Sequence, residues 1–165
     1  MADKEVELQI DTLDARLIQL LSAEAGISIV ECARRLGVAR ATAQSRLDKL
    51  RSKGIISSEA PTIEPAALGY PIRTYCIIQV RQTISHDVIA ERLALIPEML
   101  ELHTITGDFD MMATVVSRST VDLQRVLDLI SNTDGILRVS TRLTLASHFR
   151  NRVLPLVQQA SEQIP

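Results

Sequence analysis

Apolar positions recur with a helical period over the first third of the chain and with a period of two over much of the rest. Leu13, Leu17, Leu20 and Leu21 stand at i, i+4, i+7 and i+8, a single stripe on a first helix that Asp11 or Thr12 can cap. Gly26 breaks it. Ser28-Ile29-Val30-Glu31 then has the form of a capping box: Ser28 accepts from the Glu31 amide while Glu31 reaches back to the Ser28 amide. The second helix this opens is short and runs to about Leu36, where Gly37 supplies the left-handed residue that ends it. A third helix follows from about Arg40 to Ser52, with Ala43, Leu47 and Leu50 inward, and Gly54 closes it. Ile55-Ile56 and Thr62-Ile63 flank a polar bend and predict a short β-hairpin, or wing. Residues 64–70 read as a linker.

Beyond the linker the period changes. Ile72, Thr74, Cys76, Ile78 and Val80 alternate along one strand face. Helical spacing over residues 88–96 stops at Pro97. Strands are predicted over residues 99–106 and 110–116, joined at Gly107-Asp108-Phe109, and a helix over residues 120–131 ends at Gly135. Residues 136–145 alternate again, with Leu137, Val139, Thr141, Leu143 and Leu145 on one face and Arg138, Ser140, Arg142 and Thr144 on the other. The order β-α-β-β-α-β is a ferredoxin-like unit, one antiparallel sheet with both helices on one face. Strands 72–80 and 110–116 are apolar on both sides, so the second face needs cover, most simply from a second copy of the chain. A tail from Ala146 adds a short helix near Pro155, expected to dock in that dimer. The predicted fold is α+β: a winged helix-turn-helix over residues 1–63, the linker, and a ferredoxin-like domain with its tail over residues 71–165.

The first segment has the requirements of a DNA-reading element. Two helices cross closely only if the first carries a small residue at the crossing and the turn carries glycine; Ala33 and Gly37 stand in those places. With Ala43, Leu47 and Leu50 inward, a 100° step per residue turns Ala41, Gln44, Ser45 and Asp48 outward, with Thr42 and Lys49 beside them. Base edges are read from the N-terminal part of such a helix, which singles out Thr42, Gln44 and Ser45: Gln pairs bidentately with adenine, and Ser or Thr adapts to several bases. Arg40, Arg46, Lys49, Arg51 and Lys53 suit phosphates. If six phosphates are neutralised, log affinity falls against log salt with a slope of about −5.

Charge sharpens this reading. The chain carries a net charge of −2, yet residues 31–57 hold seven cations against two anions, +5 locally, and a local patch is what meets a phosphate backbone. Aromatic residues are 2% of the chain and Trp is absent, which leaves little surface for stacking single-stranded bases. Cys32 and Cys76 lie far apart in apolar runs and read as small buried hydrophobes. His86, His103 and His148 lack metal-ligand spacing, and no phosphate loop or nucleophile motif is present, so neither metal, cofactor nor enzyme activity is expected. The charged start MADKEVELQI and the lack of any long apolar run predict a cytoplasmic protein without a membrane segment.

The whole of residues 10–146 resembles the Lrp/AsnC (leucine-responsive, or feast/famine) transcription regulators. The resemblance is carried by Ile10-Asp11-Thr12-Leu13-Asp14 with Leu17-Ile18 and Leu20-Leu21, then Glu31 to Val38, Arg46-Leu47-Asp48-Lys49-Leu50, Gly54-Ile55-Ile56, Leu68-Gly69, Gly107-Asp108-Phe109-Asp110 and Thr141 to Leu145. It implies a second domain that senses a ligand and dimerises through its sheet, dimers that gather into octamers, and amino-acid effectors bound between dimers. It also implies that the Gly-Asp-Phe-Asp turn lies at the effector site. That fits the residues: Gly107 lets backbone approach a ligand closely, and Asp108 or Asp110 can hold an α-ammonium group. Thr104, Thr106 and Thr141 can add hydroxyl contacts. This chain departs from the resemblance at Ala39, where the helix-opening residue is usually Ser, and at Ala43 and Cys32, where bulkier aliphatic residues are usual. The competing readings are a DNA-compacting protein without an effector, a sensor that has lost DNA binding, and an enzyme like the siroheme decarboxylases that resemble this family, for which His103 near the turn would be the residue to suspect.

Overall fold

The structure, a computed structural model, describes residues 10–57 and 62–162. They fall into two compact units: residues up to 60 together with those from 149 onward, and residues 61–148.

The first unit is built from helices α1 (Thr12–Ala23), α2 (Ile29–Leu36), α3 (Arg40–Ser52) and α6 (Leu154–Glu162). Asp11 caps α1 in a full capping box with Asp14. Ser28 caps α2 by accepting from the Glu31 amide at 3.2 Å, but the reciprocal half of the predicted box is missing. The Glu31 carboxylate turns instead to Arg34 and Arg35, because a charge-assisted bond to guanidinium outcompetes one to a neutral amide. Gly37 ends α2 at φ 71°, a conformation that penalises any residue with a Cβ. Ala33, Ala43, Leu47 and Leu50 are buried as the periodicity requires, in a core with Leu17, Ile18, Cys32 and Leu36. Val157 and Ala160 of α6 join that core against α1. The tail helix therefore belongs to the first unit, where an apolar stripe on α1 receives it, whereas the sequence placed it with the second domain.

No strand is present over residues 55–57 or 62–64, where the wing was expected. The amides of Ile55 and Ile56 both donate to the Leu50 carbonyl, which wraps this segment onto the end of α3 and removes those donors from any ladder. The tip of the expected wing, residues 58–61, lies outside the described residues. Within the predicted linker, Pro65–Leu68 forms a turn of 3-10 helix.

The second unit has strands β1 (Ile72–Val80), β2 (Met99–Thr104), β3 (Met111–Ser117) and β4 (Ile136–Leu143), with helices α4 (His86–Leu93) and α5 (Thr120–Ser131). The sheet order is β2-β3-β1-β4, with antiparallel pairs throughout. Cys76, Ile78, Val80, Met111, Ala113 and Val115 form the helix-covered face, closed by Ile89 and Leu93 of α4 and Val126 and Ile130 of α5. The other face carries Tyr75, Ile77, Met112, Thr114 and Val116 in register. A bulge between Gln79 and Val80 shifts β4 so that Ile136 pairs with Val80. Ile136 consequently packs on the core, while Leu137, which alternation set on the same face as the core-packed Val139, is 58% exposed.

Candidate functional site

Helix α3 and its C-cap present two different surfaces. Arg40, Thr42, Ser45 and Lys53 are exposed. Gln44 is half-buried and donates to Asp48 at 2.9 Å, so its amide is oriented by a neighbour one turn on. Ala39 occupies the N-cap in extended geometry with no side-chain bond to the first turn. The α3 amides there are left without a side-chain acceptor.

Arg46 and Lys49 both face carboxylates at the start of α1. The Arg46 guanidinium bonds the Asp11 carboxylate and lies 3.2 Å from Asp14 Oδ1. Lys49 Nζ lies 3.8 Å from Asp14 Oδ2. Asp14 is wholly buried. Desolvation acts to raise the Asp11 pKa, but the Asp14 amide and the Arg46 guanidinium outweigh it and hold that carboxyl below its ordinary range. Of the remaining predicted phosphate ligands, Arg51 is exposed but already has a partner. Asp11 and Asp14 were not legible as members of this site: they stand 35 and 32 residues before Arg46, and only the fold brings them together.

On α2, bonds from Arg34 and Arg35 push the Glu31 pKa down to about 2. Arg35 also pairs with Glu24 at the end of α1. Four of the cations in the basic segment thus bind carboxylates of their own unit.

In the second unit, Gly107 has φ 116° with no atom within 4 Å of where a Cβ would stand, and Asp108 is exposed beside it. Asp110 differs. Its Oδ2 accepts from the Val80 amide at 2.8 Å and its Oδ1 from Gln82 Nε2 at 3.0 Å, while its backbone amide donates to the Ile78 carbonyl. This carboxylate fastens the turn to the end of β1. Thr104 and Thr106 are exposed near the turn. Thr141 is exposed on β4, paired with Cys76, and β4 is the edge opposite β2; at about 4.8 Å per strand spacing, some 14 Å separates them within one chain. A cleft of about 410 Å³ opens between α4 and β2, lined by His86, Asp87, Ala90, Met99, Thr104 and Met111 among others. His103 is exposed on the edge strand β2. Among the described residues no group of His, Cys, Asp and Glu side chains could hold a metal ion, and no helix is long and apolar enough to cross a membrane.

Comparison with known proteins matches two parts of the chain to known families. The winged helix-turn-helix DNA-binding family matches residues 10–57, and the Lrp/AsnC ligand binding domain matches residues 75–154. The HTH-type transcriptional regulator FL11 of Pyrococcus horikoshii is 28% identical over 92% of this chain and 99% of its own. The regulator LrpA of the same organism is 30% identical over 82% of this chain and 96% of its own. The solved structure of Escherichia coli AsnC superposes with a TM-score of 0.81 at 26% identity, covering 90% of this chain and all of that one. A feast or famine regulatory protein from M. tuberculosis, solved in complex with L-methionine, shares the fold with a TM-score of 0.76 at 24% identity, over 87% of this chain and 97% of its own. With a DNA-binding helical unit followed by a ligand-binding α+β unit, this chain belongs to the Lrp/AsnC family of transcriptional regulators.

Proposed function

We propose that the chain is a sequence-specific DNA-binding regulator whose assembly or DNA affinity is set by a small effector, an amino acid. The observation that carries the DNA-reading half is the surface of α3: Arg40, Thr42 and Ser45 are exposed on its first turns, where such a helix meets base edges. Two copies, paired through the apolar face around Tyr75, Ile77 and Met112, bring two such helices to successive major grooves about 34 Å apart. Dimers assembling further, as octamers, would place more helices along one duplex.

Selection of bound duplexes from a random pool tests this. The expected result is a motif with dyad symmetry and half-sites about one helical turn apart. Enrichment of no motif, with uniform affinity, would instead favour a DNA-compacting role. The effector half is tested by thermal shift against the twenty amino acids, because a ligand that binds only the folded state stabilises it by mass action. Support for it comes from the open turn at Gly107 and Asp108 and from the relative solved with L-methionine. Asp108→Ala should abolish the shift without lowering the unliganded melting temperature. An intact shift in that variant would place the pocket elsewhere.

A further inference from the structure

We propose that Asp11 and Asp14 are positioning residues for the DNA-reading helix, and that Arg46 acts on DNA through them rather than by touching a phosphate. The inference deepens the DNA-binding reading above and rests on it.

A carboxylate with no exposed surface is costly unless fully paired. Asp14 is in that position. It accepts from the Asp11 amide at 3.3 Å within its own helix start; its other partners, Arg46 at 3.2 Å and Lys49 at 3.8 Å, both come from α3. Arg46 is bonded to Asp11 by the same nitrogen and is half-buried, so its guanidinium is held between two carboxylates. The pairs join the first turn of α1 to the middle of α3. Apolar contact is non-directional and alone would let α3 slide or roll on the core. Charge-assisted hydrogen bonds from one guanidinium nitrogen to two carboxylates are directional, so they restrict its angle. The demand on this clamp is high because α3 is otherwise lightly held: Ala39 provides no cap, and Ala43 fills one inward position with a single methyl group. Lys49, 42% exposed and at the looser distance, is the more weakly held member of the cluster.

Salt-dependent binding of the full-length chain to the duplex it selects separates positioning from contact. A lost phosphate contact flattens the slope of log affinity against log salt by about 0.9. Arg40→Ala and Lys53→Ala should each do so. Arg46→Ala and Asp14→Asn should raise Kd by about tenfold, equivalent to 1.4 kcal/mol of lost coupling, with the slope unchanged and the whole sample still titratable with DNA. Arg46→Lys, which keeps the charge but places it on a flexible stem without the planar guanidinium, should recover part of the loss, and it carries the test with Asp14→Asn if Arg46→Ala does not fold. A slope flattened by about 0.9 in Arg46→Ala would make Arg46 a phosphate ligand and overturn the proposal. So would an unchanged Kd in Asp14→Asn, or a reduced titratable fraction whose Kd is that of the parent, which is the mark of a purely structural role. A parent chain that binds no duplex would overturn the DNA-binding reading and this proposal together.

Discussion

Replacing Ala39 by Ser should stabilise the helical unit by about 1 kcal/mol. Ala39 holds the N-cap of α3 at φ −64°, ψ 147°. Two serines in the same chain already cap from that conformation: Ser28 at φ −74°, ψ 150° accepts from the Glu31 amide at 3.2 Å, and Ser85 at φ −67°, ψ 147° accepts from the Val88 amide at 3.4 Å. An introduced hydroxyl would therefore meet the Thr42 amide, three residues on, without backbone adjustment. Position 39 is exposed, which argues for the middle rather than the top of the ~0.5–2 kcal/mol range. The two cysteines supply the assay. Both are free and buried, Cys32 in the core of the helical unit and Cys76 in that of the sheet unit. When reclosing outpaces alkylation, the labelling rate reports the equilibrium population of the open form. A gain of 1 kcal/mol should slow Cys32 labelling by about fivefold and leave Cys76 unchanged. Ala39→Asp should stabilise as well, since a carboxylate suits a helix N-terminus, yet weaken DNA binding because it carries negative charge to the end of the reading helix. Cys32 labelling that is unchanged or faster in Ala39→Ser would refute the argument that α3 lacks only a cap.

Three further outcomes follow from the described contacts. Val157→Ala removes two buried carbons from the α6 contact with α1; at about 0.8 kcal/mol each it should cost about 1.5 kcal/mol and speed Cys32 labelling by about tenfold. Acceleration at Cys76 alone would show that α6 supports the other unit. Asp110→Ala should cost the sheet unit about 1–2 kcal/mol, because it leaves the Val80 amide and Gln82 without their acceptor; the check is faster Cys76 labelling, and an unchanged rate would mean the turn holds without the carboxylate. Glu31 is depressed from 4.5 to about 2 in the folded chain. Its contribution is therefore present above the unfolded value and is lost as pH falls from about 4.5 towards about 2. Urea titrations followed by helix ellipticity should show that acid loss in the parent chain and a smaller one in Glu31→Gln; equal losses would mean the pairs with Arg34 and Arg35 have no net effect.

Periodicity made the helices and strands legible because side chains facing a core repeat with the geometry of their own element. The inward set on α3, the left-handed Gly37 and the sheet face from Cys76 to Val80 needed no partner to be named. Contacts across long separations were not legible. Arg46 lies on the flank of its helix whether it meets a phosphate or Asp14, and nothing within that helix distinguishes the two. Leu137 follows the alternation of its strand, but one bulge at Gln79 and Val80 exchanges its face with that of Ile136. Ile55 and Ile56 have strand composition, yet their amides close the end of α3. The tail shows an amphipathic helix without saying which of two apolar surfaces receives Val157. At the Gly-Asp-Phe-Asp turn the sequence placed Asp108 and Asp110 on equal terms, and the fold separates them by giving only Asp110 a Val80 amide and a Gln82 side chain to hold.

These pairings also change what the basic segment means. Residues 31–57 carry +5 alone, but over residues 10–57 there are eight cations against five anions, +3, and the difference lies in carboxylates that the fold sets against the same arginines. Arg34 and Arg35 face Glu31 and Glu24; Arg46 and Lys49 face Asp11 and Asp14. Arg40 and Lys53 remain on α3 without a partner among the described residues. A cation already neutralised by a carboxylate displaces few counterions when it nears DNA, so on the proposed DNA-binding reading these two are expected to set the salt response. At about 0.9 per phosphate, they give a slope near −2 for one chain and near −4 for a dimer, shallower than a count of basic residues implies. The amides of the uncapped first turn of α3 can add attraction that comes from the helix dipole. Attraction to DNA is therefore concentrated at the two ends of α3, while its middle is held by α1, an arrangement in which charge sets how tightly the helix approaches and Asp11 and Asp14 set the angle at which it arrives.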